Sequence, residues 1–367
     1  HMIIEKLELK DFRNYSALDL ALSPNINIVI GPNAQGKTNI IEAIYYASLA
    51  HSHRTHRDAE LLRWHAPAGQ IALTFSRLGV KNTLSFQFIR DRRRQILLNE
   101  HPVRPKELIG SVKSVLFSPE DLVLIKGSPS ERRAFLDREL SQANPAYYQD
   151  LLDYNRILKH RSALLKRIRE HAASCDALEI WDAQLIPKAA AITKKRIEAT
   201  KKLSMLANLM HRRITTSAEN LSVSYDVYGK GADVTESLVS WYNHMLKQNQ
   251  RTDILRGITG IGPHRDDLIF HVNGANLKTF GSQGQQRTGV LSLKLAELEF
   301  LHAETGEYPI LLLDDVMSEL DITRRRALLS FLRYEHIQTV ITATDEAYFP
   351  DTAMGVFYHV RSGRIMR

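Results

Sequence analysis

An α/β fold, with a mixed sheet of mainly parallel strands and an inserted helical lobe, is predicted by three features of this 367-residue chain. An apolar run, Ile26-Asn27-Ile28-Val29-Ile30, stops at a glycine-containing stretch and is followed at once by a helical pattern. The last third alternates helix and strand patterns, the arrangement that gives a mainly parallel sheet. Between these parts, residues of about 130–250 change to long helical periodicity.

Taken in order, Ile4, Leu7 and Leu9 mark a strand ahead of a polar turn at Asp11–Ser16. Ile26–Ile30, after Pro24, reads as a buried strand. Ile40, Ile41, Ala43, Ile44 and Ala47 give a helix with a broad apolar face. Leu73-Thr74-Phe75 and Leu84–Phe88 alternate like a half-exposed sheet, and Arg90-Asp91-Arg92-Arg93-Arg94 is a basic turn leading to Ile96-Leu97-Leu98. Leu151, Tyr154, Leu158, Leu165 and Ile168 form one helical seam, and Leu178, Trp181, Leu185, Ile192, Ala199, Leu206 and Met210 a second. Polar residues near Ser174 separate them, so an antiparallel hairpin on coiled-coil principles is expected. Pro187 lacks an N–H and should kink the second helix or mark its start. Leu221–Tyr228 and Leu268–Val272 read as strands, the latter closed by the hairpin dipeptide Asn273-Gly274. A helix over 284–303, a strand at Ile310–Leu313, a helix over 322–333 and a strand at Thr339–Thr342 complete the chain. The expected division is a head made of 1–125 and 255–367, joined in space, and a mainly helical inserted lobe of 126–254.

Hydrophobic residues at 44% and charged residues at 25% supply a large core and argue against disorder. The net charge of +8 favours polyanionic partners through Coulomb attraction and counterion release, although a solvated basic surface has the same balance. Cys175 is the single cysteine, which rules out an intrachain disulfide and a Cys-rich zinc site and fits a reducing, cytoplasmic setting. No apolar run approaches the roughly 20 residues of a membrane span. His1-Met2-Ile3-Ile4 has no signal-peptide apolar region, and His1 is read as a cloning remnant.

Three segments carry chemistry. Gly31-Pro32-Asn33-Ala34-Gln35-Gly36-Lys37-Thr38 fits G-x-x-x-x-G-K-[ST] at every position. The glycines let the backbone wrap a phosphate with its N–H groups inward, and Lys37 neutralises charge at the β and γ phosphates. The Thr38 hydroxyl can ligate Mg²⁺, and the helix from Asn39 adds a positive dipole end. Ile310–Leu313 runs into Asp314-Asp315. Asp314 is placed to hold the Mg²⁺, and Asp315 to face the γ phosphate as general base or water-positioner. Phe280-Gly281-Ser282-Gln283-Gly284-Gln285-Gln286-Arg287 precedes a third helix. This small turn reads either as a second anion site, of use to a neighbouring chain's phosphate, or as a simple N-cap at Ser282.

In chain order the phosphate loop, Ser282-Gln283-Gly284-Gln285, the Asp314-Asp315 strand and Ser318-Glu319-Leu320-Asp321 resemble the motifs of ABC-type ATPases, the last four residues looking like that family's D-loop. Their wide separation around a helical hairpin is similar to the SMC/Rad50 branch, in which the hairpin is a very long coiled coil. Closer still is the resemblance to the RecF family of recombination-repair ATPases. It is carried by Leu9-Lys10-Asp11-Phe12-Arg13-Asn14-Tyr15, the phosphate loop, and Phe117-Ser118-Pro119-Glu120-Asp121-Leu122 with Lys126-Gly127-Ser128-Pro129 and Arg132-Arg133. Gly262-Pro263-His264-Arg265-Asp266-Asp267 and Gly281–Arg287 continue it, in order, across nearly the whole chain.

The resemblance implies an ABC/SMC-type ATPase head that takes ATP and Mg²⁺. ATP would bring two chains face to face, each nucleotide lying between Lys37 of one and Ser282, Gln283, Gly284, Gln285 and Asp321 of the other. The homodimer would clamp duplex DNA near single-strand gaps, with slow, DNA-stimulated hydrolysis resetting it. The family works with RecR, and with RecO helps load RecA, in the cytoplasm at the nucleoid. Two departures stand out. Asp345 lies near the position of the ABC switch histidine, and Asp315 stands where transporters mostly have Glu; both agree with weak turnover. Glu120 or Asp121 falls in the region of the usual Q-loop glutamine.

Duplex binding without sequence choice needs phosphate contacts. Candidate donors are Arg54 and Arg57 in His51–Arg57, Arg92 and Arg93 with Arg94 in the basic turn, and Lys113. Arg54 could instead touch nucleotide. Lys159, Arg161, Lys166 and Arg167 are either DNA donors or solvated faces of the hairpin. The His-rich stretch lacks the Cys or carboxylate set of a metal site. The rival readings are an ABC transporter cassette, an ATPase fused to a nuclease, and a small-substrate P-loop enzyme using Asp315. DNA stimulation of ATP turnover separates them from the DNA clamp.

Overall fold

The computed structural model describes residues 1–367 apart from 34, 35, 216, 217, 232–234, 350–354 and 367. The chain forms two compact units, His1–Asp121 with Lys294–Arg367, and Leu122–Leu293.

The first unit opens with β1 (Met2–Phe12), in which Ile4, Leu7 and Leu9 face inward. It pairs antiparallel with β2 (Tyr15–Ala21) across the short turn at Arg13-Asn14. The strand β3 (Ile26–Ile30) is buried at all five positions, as a strand covered on both faces must be. Next comes α1 (Lys37–Leu49), buried along most of its surface because apolar residues surround it on more than one side. The strands β4 (Ala68–Arg77), β5 (Val80–Ile89), β6 (Gln95–Leu98) and β7 (His101–Pro102) follow, with the basic Arg90–Arg94 segment as the turn between β5 and β6. Together they form a six-stranded antiparallel sheet in the order β2-β1-β4-β5-β6-β7. A short helix, α2 (Pro105–Leu108), leads to β8 (Ser114–Phe117).

The second unit holds α3 (Val123–Lys126), α4 (Pro129–Ala143), α5 (Pro145–Arg169) and α6 (Leu178–Ile214). Ser128 and Glu131 cap the start of α4 reciprocally, and Asn144 caps α5 through its side chain. The expected hairpin is α5 with α6, closed at its tip by Leu164, Leu165, Ile168 and Leu178. Pro187 does not mark the start of α6; the helix runs from Leu178 straight through it. Its cost of roughly 3 kcal/mol is offset by the buried residues on both sides, Leu185 and Ile186 before it and Ala189 and Ile192 after it. Arg161 is corrected as well. It is neither solvated nor free for DNA, but fully buried, with Nε on Asp182 at 2.7 Å and Nη1 on Asp253 at 3.0 Å. A position in the apolar seam forces such pairing on a charged side chain.

The lobe continues with β9 (Leu221–Asp226), α7 (Leu238–Arg256), β10 (Asp267–Val272), β11 (Ala275–Asn276), α8 (Leu277–Phe280) and α9 (Gln283–Thr305). Its sheet has the order β11-β10-β9, and Asn273 and Gly274 both take positive φ in the β10–β11 turn. Because β9 lies along α6, the sheet belongs to this unit. The division therefore falls at 121/122 and 293/294 rather than at 125/126 and 254/255.

Back in the first unit come β12 (Ile310–Asp314), α10 (Ile322–Tyr334), β13 (Thr339–Ala343), β14 (Val356–Arg361) and β15 (Arg364–Met366). They complete a second six-stranded sheet, β15-β14-β3-β13-β12-β8, parallel except at β15. Gln338 ties this sheet to β1, accepting from Ile4 N–H at 2.9 Å and donating to Ile4 O at 2.7 Å. The carboxyl ends of β3, β13 and β12 thus lie side by side, the edge at which open α/β sheets bind ligands. Among the described residues no helix is long and apolar enough to cross a membrane.

Candidate functional site

At the end of β3 the chain must turn within tight space. Gly31 donates its N–H to Ala343 O at 3.1 Å, and a Cβ there would lie 2.6 Å from Val360 O, so only glycine fits. Gly36 has φ +102° and would, with a Cβ, meet the Asn14 amide at 2.7 Å. The buried Tyr15 hydroxyl donates to Gly36 O at 2.9 Å, and burial pushes the Tyr15 phenol up, so it remains a donor. These contacts hold both glycine ends of the loop. Pro32 and Asn33 are exposed between them, and Ala34 and Gln35 lie outside the described residues.

Lys37 follows at the first position of α1. Its side chain is buried, and its Nζ has no hydrogen-bond partner among the described residues. Burial lowers its pKa, opposed by the charges of Asp315 and Asp314. Next to it, the Thr38 hydroxyl donates to Asp314 Oδ1 at 3.2 Å. Thr342 on β13 donates to the same oxygen at 2.7 Å and accepts the Asp315 N–H at 3.0 Å. One threonine therefore holds the Asp314 carboxylate and the Asp315 backbone. Asp314 is pushed upward by burial, against the hydrogen bonds from Thr342 and Thr38. Asp315 has φ +55°, an uncommon backbone for a non-glycine residue, and the Thr342 contact helps to hold it.

Asn14, Asn33, Gly36, Lys37, Thr38, Asn39, Arg54, Asp314 and Asp315 line a cleft of about 300 Å³, so the phosphate-loop motif and the acidic strand end meet in one place. Asn39 donates to Asn14 Oδ1 at 2.7 Å and accepts from Arg54 Nη1 at 2.7 Å. Beneath them, Glu42 is a fully buried carboxylate on α1. Arg13 binds it in a fork, Nε at 2.8 Å and Nη2 at 2.9 Å, and Ser52 donates at 2.6 Å. Burial raises the Glu42 pKa, but the Arg13 and Ser52 hydrogen bonds outweigh it and hold the carboxyl below its ordinary value. Asn14, Arg13, Glu42 and Thr342 were not foreseen as site residues. A single charge in the apolar face around Ile40–Ile44, and a threonine at the end of an apolar strand, were the available signals.

The fit to a nucleotide phosphate chain with its cation rests on this geometry. The cradle excludes a Cβ at Gly31 and Gly36, a buried ammonium lacks a partner among the described residues, and a hydroxyl meets a carboxylate at the spacing of shared cation ligands. The donor set is Lys, Thr and Asp with backbone amides, the hard-oxygen chemistry suited to Mg²⁺.

The other foreseen residues are placed as follows. Ser282, Gln283 and Gly284 are exposed at the start of α9, in the second unit. Ser282 Oγ accepts the Gln285 N–H at 3.1 Å while the Gln285 side chain accepts the Ser282 N–H at 3.0 Å, a reciprocal cap. Asp321 caps α10, accepting the Arg324 N–H at 2.8 Å. Asp345 caps a one-turn 3-10 segment through the Ala347 N–H at 2.9 Å, and Glu120 is exposed after β8. Arg57, Arg92 and Arg93 are exposed. Lys113 is corrected: it is buried, with Nζ on Glu307 at 2.9 Å and on Gly110 O at 3.0 Å, and cannot present its charge to DNA. Its place at the edge of buried β8 requires that neutralisation.

A family model described as the RecF/RecN/SMC N terminal domain matches residues 3–364. DNA replication and repair protein RecF of Alkaliphilus oremlandii (strain OhILAs) is 46% identical over 94% of this chain and 93% of its own length. The same protein of Halothermothrix orenii is 44% identical over 94% and 92%. The solved structure of the recombination mediator protein RecF-ATP in the RecFOR pathway superposes with a TM-score of 0.92 at 33% identity, covering 100% of this chain and 97% of that one. An Smc head domain from Pyrococcus furiosus, at 15% identity and TM-score 0.58, shares the fold. The α/β head with its helical lobe is therefore of the ABC/SMC type, and the chain belongs to the RecF family of DNA replication and repair proteins.

Proposed function

We propose that this chain is an ATP-dependent DNA-binding protein of recombinational repair and replication-fork maintenance. The observation that carries the reading is Lys37, a buried ammonium at the wall of the cleft without a hydrogen-bond partner among the described residues. Phosphate oxygens would supply the partners it lacks. Gly31–Thr38 and Asn39 would wrap the phosphates, and Arg54, which lines the same cleft, would add a second cation. Thr38 and Asp314 would hold Mg²⁺, which supplies Lewis-acid polarisation of the phosphate oxygens when bound. Asp315, oriented through Thr342, would position the attacking water; its side chain is one methylene shorter than Glu, in keeping with slow turnover.

Ser282–Gln285 and Asp321 of a second copy would close over the nucleotide, so that ATP makes the dimer and hydrolysis releases it. The exposed start of α9 supports this, because its cap leaves Ser282, Gln283 and Gly284 open to a partner. The dimer would clamp duplex DNA near single-strand gaps, with DNA stimulating turnover. It would act in the cytoplasm with RecR, and with RecO in loading RecA. Relatives named RecF-ATP and the RecFOR pathway support the nucleotide and the setting.

Sedimentation of wild type and Ser282→Arg, with Mg-ATP and without nucleotide, tests the proposal. Wild type should shift from monomer to dimer with ATP, while the variant stays monomeric and still binds ATP. A wild type that stays monomeric at every ATP level, even with duplex DNA, rejects the trans clamp.

A further inference from the structure

Trp64 is 84% exposed, whereas Trp241 is 4% exposed and Trp181 stacks on His160 at 4.9 Å. A large ring left in water forgoes its burial energy and remains available to a ligand. It is also held in place. The Ala66 N–H donates to Arg63 O at 2.9 Å to close the turn, and His65 takes φ +66°. The Arg63 N–H donates to Asp11 O at 2.8 Å, and Leu62 bridges to Phe12. The Trp64 ring packs edge-on against that of His65 at 5.7 Å.

A second turn lies directly against this one. Arg90 of the β5–β6 connection donates its backbone N–H to Pro67 O at 2.9 Å and its Nε to Ala66 O at 3.1 Å. The same connection exposes Arg92 and Arg93. The two turns and the end of β1 carry two acids, Asp11 and Asp91, against four arginines, Arg63, Arg90, Arg92 and Arg93, and Asp11 is engaged by Arg63 at 3.6 Å. An exposed aromatic ring on a turn tied to an arginine-rich turn is the chemistry that stacks a nucleobase and neutralises the phosphates on either side. Bases in a duplex hide their faces; unpaired bases offer them.

We propose that the Trp64 turn and the adjoining arginine turn form a platform for single-stranded DNA, separate from the nucleotide cleft, whose lining does not include Trp64. The proposal rests on the DNA-binding reading above and names the strand form this surface takes. One or two unpaired bases stack on Trp64 while Arg92 and Arg93 hold the flanking phosphates.

The test uses the full chain as wild type, Trp64→Ala and Trp64→Phe, with a labelled oligothymidine of about a dozen nucleotides, the scale of a single-strand site. Duplex binding with Mg-ATP is measured in parallel. Oligothymidine should quench wild-type tryptophan emission saturably. Trp64→Ala should lose that quench and bind the oligothymidine roughly ten- to a hundredfold more weakly, the value of one base–aromatic stack. Trp64→Phe should restore most of the affinity, and duplex binding should be equal in all three. An unquenched wild type at saturating oligothymidine, or a Trp64→Ala that binds it normally, overturns the platform and leaves the turn as a protein contact. Equal loss of duplex and single-strand binding in Trp64→Ala also overturns it. Wild type that binds duplex but not oligothymidine rejects the platform alone, and wild type that binds neither rejects the DNA reading with it.

Discussion

Replacing Glu42 by Gln removes one negative charge from a place with no access to water. The carboxylate takes both arms of Arg13, the Ser52 hydroxyl at 2.6 Å and Arg54 at 3.4 Å. The amide keeps one acceptor and turns two N–H groups toward donors. Breaking a buried ion pair on one side costs about 3–5 kcal/mol. Arg13 and Arg54 are 21% and 38% exposed, so water takes back part of their charge. The expected loss is about 2–4 kcal/mol. Equilibrium urea unfolding followed by circular dichroism at pH 7 should show a midpoint lower by roughly 1 M at unchanged slope. The sign of the pH dependence follows from the depressed Glu42 pKa. Its stabilisation is complete above the unfolded-state value near 4.5 and is lost as pH falls through the lower folded value. The gap between wild type and Glu42→Gln should therefore be full at pH 7 and close in acid. A gap below about 0.5 kcal/mol at pH 7, the scatter of ordinary surface changes, or one that persists unchanged into acid, refutes the assigned role.

Thr342→Val keeps the shape of β13 but removes the hydroxyl that holds the Asp314 carboxylate and the Asp315 backbone; Mg²⁺-dependent ATP turnover should drop about tenfold or more, with nucleotide affinity in EDTA unchanged. Asp266 is pushed up to about 6 by burial, against hydrogen bonds from Tyr225 and the Tyr228 N–H. A folded pKa above the unfolded one means stability falls as pH rises from about 4 to 6. Relative to Asp266→Asn, wild type should lose about 3 kcal/mol over that window, read by urea unfolding at a series of pH values. Lys113→Gln should destabilise the chain by about 2–4 kcal/mol yet leave the salt slope of duplex binding unchanged. Arg57→Gln, at an exposed position, should lower that slope by about 1 if it meets a phosphate.

Local elements were legible wherever periodicity and turn chemistry agreed. Ile26–Ile30 is a strand because its four apolar residues suit burial on both faces, with the Asn27 side chain paired to the Ser23 backbone, and Asn273-Gly274 turns because both residues tolerate positive φ. Of the two expectations for Pro187, a helix start fails because the packing of a 37-residue helix around it outweighs one lost hydrogen bond. Arg161 and Lys113 misled because a cation looks the same in sequence whether solvated or paired. Their partners, Asp253 and Glu307, lie far along the chain.

By itself the sequence determined the phosphate loop, the acidic strand end, the capped turn at Ser282 and their family. Each is a short segment whose chemistry depends on neighbours in the chain. Only the tertiary structure decided which carboxylate Thr38 meets, that Thr342 holds both aspartates, that Glu42 anchors Arg13 and Arg54, and that Trp64 stands beside the arginine turn. Those contacts join strands and loops distant in sequence. Sheet order and burial create them, and no local pattern encodes either.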